Sequence, residues 1–207
     1  MLLGSILTNS ANGSYEFIGG GNNNTASGSN AVIVGGSYNV ADGTYSAIPG
    51  GYYATTRATY GRFVYASGQF AAVGDAQMSM LVLRALTTDD APTALTSDGN
   101  GAGATNQMIL PNKCSAVVTG EVVGHSSDGA HIAGFTFSAL VDKWGGVVEL
   151  PSAVTPVVVA TKGYGAYWSI TVQADSAMNR GLMVVATGSV GVSVRWVARL
   201  KSVEVTY

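Results

Sequence analysis

The sequence is poor in charge: Lys, Arg, Asp and Glu together make up 11% of its 207 residues, where roughly 25% is usual for a soluble domain. A surface with so few ions keeps neighbouring molecules apart poorly, so the composition favours burial of surface against further copies of the chain. The net charge of −2 supplies no basic stripe of the kind that phosphate contacts need, which excludes nucleic acid as a partner. Cys114 is the single cysteine, so neither an intrachain disulfide nor a cysteine-based metal or redox motif is available, and in its apolar run it reads as a core residue. The opening Met1-Leu2-Leu3-Gly4-Ser5-Ile6-Leu7 has no basic n-region and only a short apolar run, so no secretion signal is expected. No stretch reaches the ~20 apolar residues of a membrane helix, and no segment carries a helical period. Together these absences point to an all-β protein that assembles in the cytoplasm in which it is made.

What the chain has in excess is glycine, at 28 positions, and internal repetition. Asn9, Asn24 and Asn39 are spaced by 15, as are Ala11, Ala26 and Ala41, and Gly13, Gly28 and Gly43. Ser14, Ser29 and Thr44 keep the same spacing, then Ile18, Ile33 and Ile48, then Gly20, Gly35 and Gly50. A fourth copy is degraded, with Ala58 in the glycine column and Phe63 in the isoleucine column, and the pattern ends near Asp75. Gly pairs and Asn suit tight turns, and runs such as Ala31-Val32-Ile33-Val34 suit brief strands. One such coil offers an Ile and a few Ala as interior, too little against an ordering cost of ~1–2 kcal/mol per residue. The coils therefore have to stack, and the stack is expected to associate laterally as a parallel homotrimer with Ile18, Ile33 and Ile48 around its axis.

Beyond residue 75 longer β-branched runs alternate with period two: 76–87, 108–124, 132–144, 146–150, 154–162, 166–175, 182–188 and 192–207. In the last run Trp196, Ala198 and Leu200 share a face, and the apolar phase then slips to Val203 and Val205, which predicts a bulge. Eight strands over this length predict an antiparallel, jelly-roll-like β-sandwich.

The segments Asn24-x-Ala26-x-Gly28-x-x-Ala31-x-Ile33-x-Gly35-Gly36 and Asn39-x-Ala41-x-Gly43-x-x-Ser46-x-Ile48-x-Gly50-Gly51 resemble the head repeats of trimeric autotransporter adhesins, a left-handed parallel β-roll that recurs in bacteriophage tail fibres. Gly74-Asp75-Ala76-Gln77, Trp168-Ser169-Ile170-Thr171-Val172-x-Ala174-Asp175 and Arg195-Trp196-Val197-Ala198 resemble C-terminal domains of phage tail-fibre proteins. With no heptad stalk and no secretion signal, the resemblance leans to the phage fibre. It implies a homotrimeric virion protein on the phage tail or capsid surface. Its residues 1–8 would contact other virion proteins, residues 9–74 would form the β-roll shaft, and residues 75–207 would be a head that binds a host surface glycan. The role it implies is structural and non-enzymatic, without cofactor; a capsid decoration protein and a small polysaccharide depolymerase are the alternatives.

The candidate site residues are chosen on their chemistry. Aromatic rings grip sugars by stacking, and Trp144, beside Gly145-Gly146, and Tyr164 and Tyr167, after Lys162-Gly163, stand nearest to turns, whereas Trp168 and Trp196 read as core. His125 and His131 bracket the turn Ser126-Ser127-Asp128-Gly129-Ala130; His and Asp are metal-ligand types that three copies around a three-fold axis could complete into a shell, a hairpin with Asp128-Gly129 at its tip is the plainer reading, and no metal is assigned. Asp98-Gly99-Asn100-Gly101 resembles half a calcium loop but has Ala102 and Ile109 where ligands belong, so it reads as a plain loop. Glycan cleavage needs two carboxyls across a sugar, and Glu16, Glu121, Glu149 and Glu204 are scattered. On these residues no catalytic group is expected.

Overall fold

The computed structural model describes residues 8–178 and 180–207, so all but Thr8 of the expected attachment segment lies outside the described residues. The chain is all-β and divides into two units: one runs to Met80 and takes in Val203–Tyr207, the other is Leu81–Ser202.

In the first unit the 15-residue period becomes a stack of coils. Strands β1 (Ser10–Ala11), β2 (Phe17–Ile18), β3 (Thr25–Ala26), β4 (Val32–Ile33), β5 (Val40–Ala41), β6 (Ala47–Ile48) and β7 (Phe63–Tyr65) form two parallel ladders. One ladder runs β1–β3–β5 and the other β2–β4–β6–β7, with partners such as Thr25↔Val40 and Ile33↔Ile48. Between them lies a core of Ala26, Ala31, Ile33, Ala41, Ile48, Ala54, Val64 and Ala66, with Ile18 packed against it. Ile33 and Ile48 are fully buried by the coils of a single chain, so this column does not need a three-fold axis to leave water.

Asparagine supplies the vertical bonding. Asn39 is fully buried; its Oδ1 accepts from the Ala54 N–H at 2.9 Å, and its Nδ2 donates to Gly51 O at 3.0 Å and Gly35 O at 3.3 Å. Asn24 repeats this one coil below, its Oδ1 accepting from Asn39 N–H at 3.1 Å and its Nδ2 reaching Gly36 O at 2.9 Å. The glycine columns result from the same closeness, because a Cβ on Gly36 would lie 2.2 Å from Gly51 O and one on Gly43 2.1 Å from Thr59 O.

The degraded fourth coil has a simple cause. Register is 15 at Val40↔Thr55, becomes 16 at Ala47↔Phe63 and returns to 15 at Tyr52↔Ser67. The extra residue sits at Arg57-Ala58, both in left-handed backbone, and Asp42 ties it down by accepting from Ala58 N–H at 2.8 Å. Val64 rather than Phe63 therefore continues the isoleucine column.

β8 (Ala76–Thr87) and β17 (Val194–Thr206) each begin or end in this unit, and the start of β8 pairs antiparallel with β7. The bulge predicted near Val203 is a correction: burial alternates without a break along β17, so Ser202 and Glu204 take inward positions and Val203 is 71% exposed. The inward Glu204 is bound by Arg57 and Arg62, by Gln77 Nε2 at 3.1 Å and by the Ser79 hydroxyl at 2.8 Å. A two-residue period is kept because the buried carboxylate is matched by charge and hydrogen bonds.

The second unit is a two-layer antiparallel sandwich. Its small layer holds β9 (Thr93–Ala94), β10 (Met108–Ile109), β15 (Ser169–Ala174) and β16 (Gly181–Thr187). The large layer orders β13 (Val147–Glu149), β12 (Ile132–Trp144), β11 (Cys114–Ser126), β17 and β8, with β14 (Val157–Lys162) also on the outer edge of β12. The single strand expected over 108–124 splits around Pro111, which has no N–H to donate, and Lys113, which is left-handed. Cys114, Trp168 and Trp196 are buried in one core with Leu81, Leu83, Leu182 and Val184. Trp196 donates to the Thr87 hydroxyl at 3.0 Å and Trp168 to that of Ser189 at 3.1 Å.

Three substitutions test this account. Asn39→Ala removes several buried bonds and is expected to cost about 2–4 kcal/mol in urea unfolding, whereas Ser27→Ala, at an exposed position after β3, is expected to cost nothing measurable. Glu204→Gln removes the negative charge shared by two guanidiniums and is expected to cost about 3–5 kcal/mol; a thermal melt matching wild type contradicts the Glu204 argument.

Candidate functional site

Trp144 ends β12, and its place is set by the turn immediately after it. Gly145 and Gly146 both have positive φ (61° and 83°), as a two-residue hairpin of the type favoured between twisted strands requires, and the turn pairs Trp144 with Val147. Asn112 Oδ1 accepts from Gly146 N–H at 2.9 Å, and Lys113 Nζ lies 5.9 Å from the indole centroid. The ring is 61% exposed. Counting back from the same turn makes Asp142 and Glu149 cross-strand partners. Alternation along β12 and β13 puts Asp142, Trp144, Val147 and Glu149 on one face, away from the core, where directly opposed side chains have Cβ atoms about 4.5–5.5 Å apart. Ser115, the partner of Asp142 on β11, donates its hydroxyl to Asp142 Oδ1 at 2.6 Å. An exposed indole thus stands beside two carboxylates and a hydroxyl.

Tyr164 and Tyr167 belong to a 3₁₀ turn, Gly163–Tyr167, directly after β14. His131 fixes it: Nδ1 accepts from Tyr164 N–H at 3.0 Å, and the two rings lie 4.5 Å apart. Only glycine fits beneath the turn, because a Cβ on Gly163 would meet His131 Nδ1 at 2.1 Å and one on Gly165 would meet Ile132 O at 2.0 Å. Tyr164 and Tyr167 are 54% and 77% exposed, with ring centroids 6.4 Å apart. Asp128 lies 3.6 Å from His131 Nε2; its carboxyl is held below the ordinary range, first by the Ser126 hydroxyl and then by the Ala130 N–H.

The structure brings Tyr164 and Tyr167 together and separates them from Trp144. Their turn lies by the Ile132 end of β12, since Lys162 pairs with Ile132, and the twelve steps to Trp144 span roughly 40 Å. His125 pairs with Ile132 beside the His131 turn, and among the described residues no three His, Cys, Asp or Glu gather as a metal site. The Asp98 loop is internally satisfied, its carboxylate accepting from Asn100 N–H at 3.0 Å and Asn106 Nδ2 at 2.8 Å. A cleft of about 160 Å³ on the outer face of the large layer is lined by Thr119, Glu121, Thr136, Arg199 and Lys201, with Glu121 and Arg199 ion-paired.

The three aromatics chosen from the sequence are exposed, whereas the Asp142–Glu149 juxtaposition was not read from it. The signal was there: a Gly-Gly turn fixes a two-residue loop, and the loop fixes the register on both sides.

No family model matches the sequence, and no curated protein matches it. Solved structures similar to the chain are phage tailspike proteins. One is tailspike gp49 of Acinetobacter baumannii bacteriophage Fri1, described as a capsular polysaccharide depolymerase (TM-score 0.30, 7% identity, 86% of this chain and 34% of that one). Another is the tailspike of A. baumannii phage AM24 (TM-score 0.30, 9% identity, 96% and 48%), and a third is a further Acinetobacter phage tailspike (0.32, 9%, 91% and 49%). The chain spans a third to a half of the length of these proteins. The expectation of a non-enzymatic protein is corrected here: the first of these tailspikes is by its description an enzyme. The opposed Asp142 and Glu149 likewise remove the argument that the carboxylates are scattered.

Proposed function

We propose that the chain is part of a phage virion protein that attaches to a host cell by holding a surface polysaccharide, and that it works as a homotrimer. The observation that carries this reading is Trp144, exposed on a rigid hairpin with Asp142, Glu149 and Ser115 on the same sheet face. A sugar ring stacked on the indole contributes ~1 kcal/mol, the carboxylates accept from its hydroxyls, and Tyr164 with Tyr167 offers a second contact along the polymer. Three copies multiply weak sites into firm attachment.

A second reading has its own observation. Asp142 and Glu149 oppose each other across one strand pair, and a pair of carboxyls flanking the scissile bond is what retaining glycosidases use. In that chemistry one carboxylic acid protonates the glycosidic oxygen as its bond to the anomeric carbon breaks, while the other carboxylate bonds that carbon. Water activated by the first group then hydrolyses the glycosyl ester and restores both. Asp142 and Glu149 are the residues this reading names.

The experiment measures adsorption to purified bacterial capsular polysaccharides and release of reducing ends. Trp144→Ala is expected to weaken adsorption about tenfold when one ring is lost at several sites. Glu149→Gln is expected to abolish any release while retaining adsorption. Full adsorption by Trp144→Ala contradicts the site, and release unaffected by both Glu149→Gln and Asp142→Asn contradicts the second reading.

The trimer reading changes with the fold. Ile33 is interior to one chain, so Ile33→Asp is expected to unfold the first unit rather than part folded subunits. Two outward apolar residues, Phe17 of β2 and Val34 directly after β4, each 56% exposed, are the ones proposed to meet a second copy. Phe17→Asp with Val34→Asp is expected to lower the light-scattering mass from trimer to monomer with the circular dichroism retained; an unchanged trimer contradicts that contact.

A further inference from the structure

Besides its glycines, each regular coil of the first unit has two positions in left-handed backbone, and the positions form columns. One column is Tyr15 (φ 64°), Asn30 (57°) and Tyr45 (54°); the other is Asn23 (54°), Tyr38 (56°) and Tyr53 (65°). Glycine enters this region without steric cost and asparagine readily, whereas a bulky side chain there is a conformational outlier. Asn23 and Asn30 show that the columns accept the inexpensive residue, yet four of the six positions are tyrosine. Burial does not compensate, because the interior is filled by Ala, Ile and Val and no tyrosine belongs to it. Strained residues of this kind concentrate where a side chain is needed for binding.

Two of these rings, Tyr38 and Tyr53, gather with Tyr52 at one corner. Tyr38 and Tyr53, one coil apart, stack at 4.9 Å and 22°; Tyr52 lies 4.2 Å from Tyr53 and meets Tyr38 edge-on at 6.0 Å. Tyr38 and Tyr52 are 37% and 43% exposed and Tyr53 is half-buried, and the backbone beside them, Gly36-Ser37 and Gly50-Gly51, is small and uncharged. Coils repeat at about 4.8 Å, the spacing of paired strands, which is close to the length of one sugar unit in an extended polymer. The combination of apolar faces, phenolic hydroxyls and absent charge suits pyranose rings and gives an acidic or basic peptide nothing to pair with.

We propose that Tyr38, Tyr52 and Tyr53 form a saccharide-stacking site on the repeat unit, aligned with the coil axis and suited to uncharged stretches of a polysaccharide. This site rests on the polysaccharide reading above and extends it from the sandwich to the coils, which the sequence alone presented as a plain spacer.

The columns supply a test that separates binding from folding. Tyr38→Asn with Tyr53→Asn installs the residue that the same column already holds at Asn23. The full chain, this double variant and a Trp144→Ala/Tyr164→Ala/Tyr167→Ala variant are applied to an array of purified bacterial capsular polysaccharides and O-antigens, with melting temperature and light-scattering mass measured alongside. The expected result for the asparagine variant is an unchanged or raised melting temperature, an unchanged mass and about a tenfold weaker signal. Binding equal to wild type overturns this site while leaving the polysaccharide reading intact. A large fall in melting temperature assigns the tyrosines to coil stability, and a fall in mass assigns them to a contact between copies; either overturns the proposal. Wild-type chain that binds no glycan on the array overturns the polysaccharide reading and this site together.

Discussion

The first unit depends on one repeated interaction: a buried asparagine amide that bonds the backbone of the coil above and of its own coil at once. Short two-residue strands cannot hold such a stack, since each contributes few ladder bonds and its interior is one isoleucine and small residues. Asn24 and Asn39 make up the difference by bonding turn carbonyls of their own coil and of the next, and a backbone N–H one coil above. The glycine columns are a consequence, because amide bonding draws consecutive turns so close that a methyl group would overlap the next carbonyl.

Charge enters the interior of this unit through Glu204, a residue of the last strand. Its match with Arg57 and Arg62 explains why the extra residue of the fourth coil is kept: the irregular turn carries Arg57 to the carboxylate. An ion pair of this kind contributes less to stability than to register, because any other placement of β17 would bury the carboxylate away from the guanidiniums. It holds the strand's two-residue period through the stretch where the apolar pattern alone would have slipped.

The coil period, the asparagine and glycine columns and the sandwich strands were legible because each rests on spacing, and spacing survives without coordinates. The aromatics Trp144, Tyr164 and Tyr167 were legible for a similar reason, since Gly-rich turns lie at the surface and expose the side chains beside them. The shift from Phe63 to Val64 was not, because one inserted residue and its later compensation look like decay of the pattern. The inward Glu204 was hidden because its partners lie about 140 positions earlier. The Asp142–Glu149 pair sits between these cases: its register is set by Gly145-Gly146, but only once the turn is known to be two residues long. Tyr15 and Tyr45 also fall in register in the sequence, yet only backbone angles show that tyrosine is the costly choice there.

The central claim is that polysaccharide is held on aromatic rings presented by a rigid β scaffold, and tryptophan emission tests it most directly. Trp168 and Trp196 are buried and Trp144 is exposed, so the solvent-exposed component of the spectrum reports Trp144. Titration with a capsular polysaccharide that the chain binds is predicted to shift this component saturably to the blue, and Trp144→Phe is predicted to remove the shift. Saturable binding, measured by sedimentation of the same samples, with emission unchanged throughout would contradict the account.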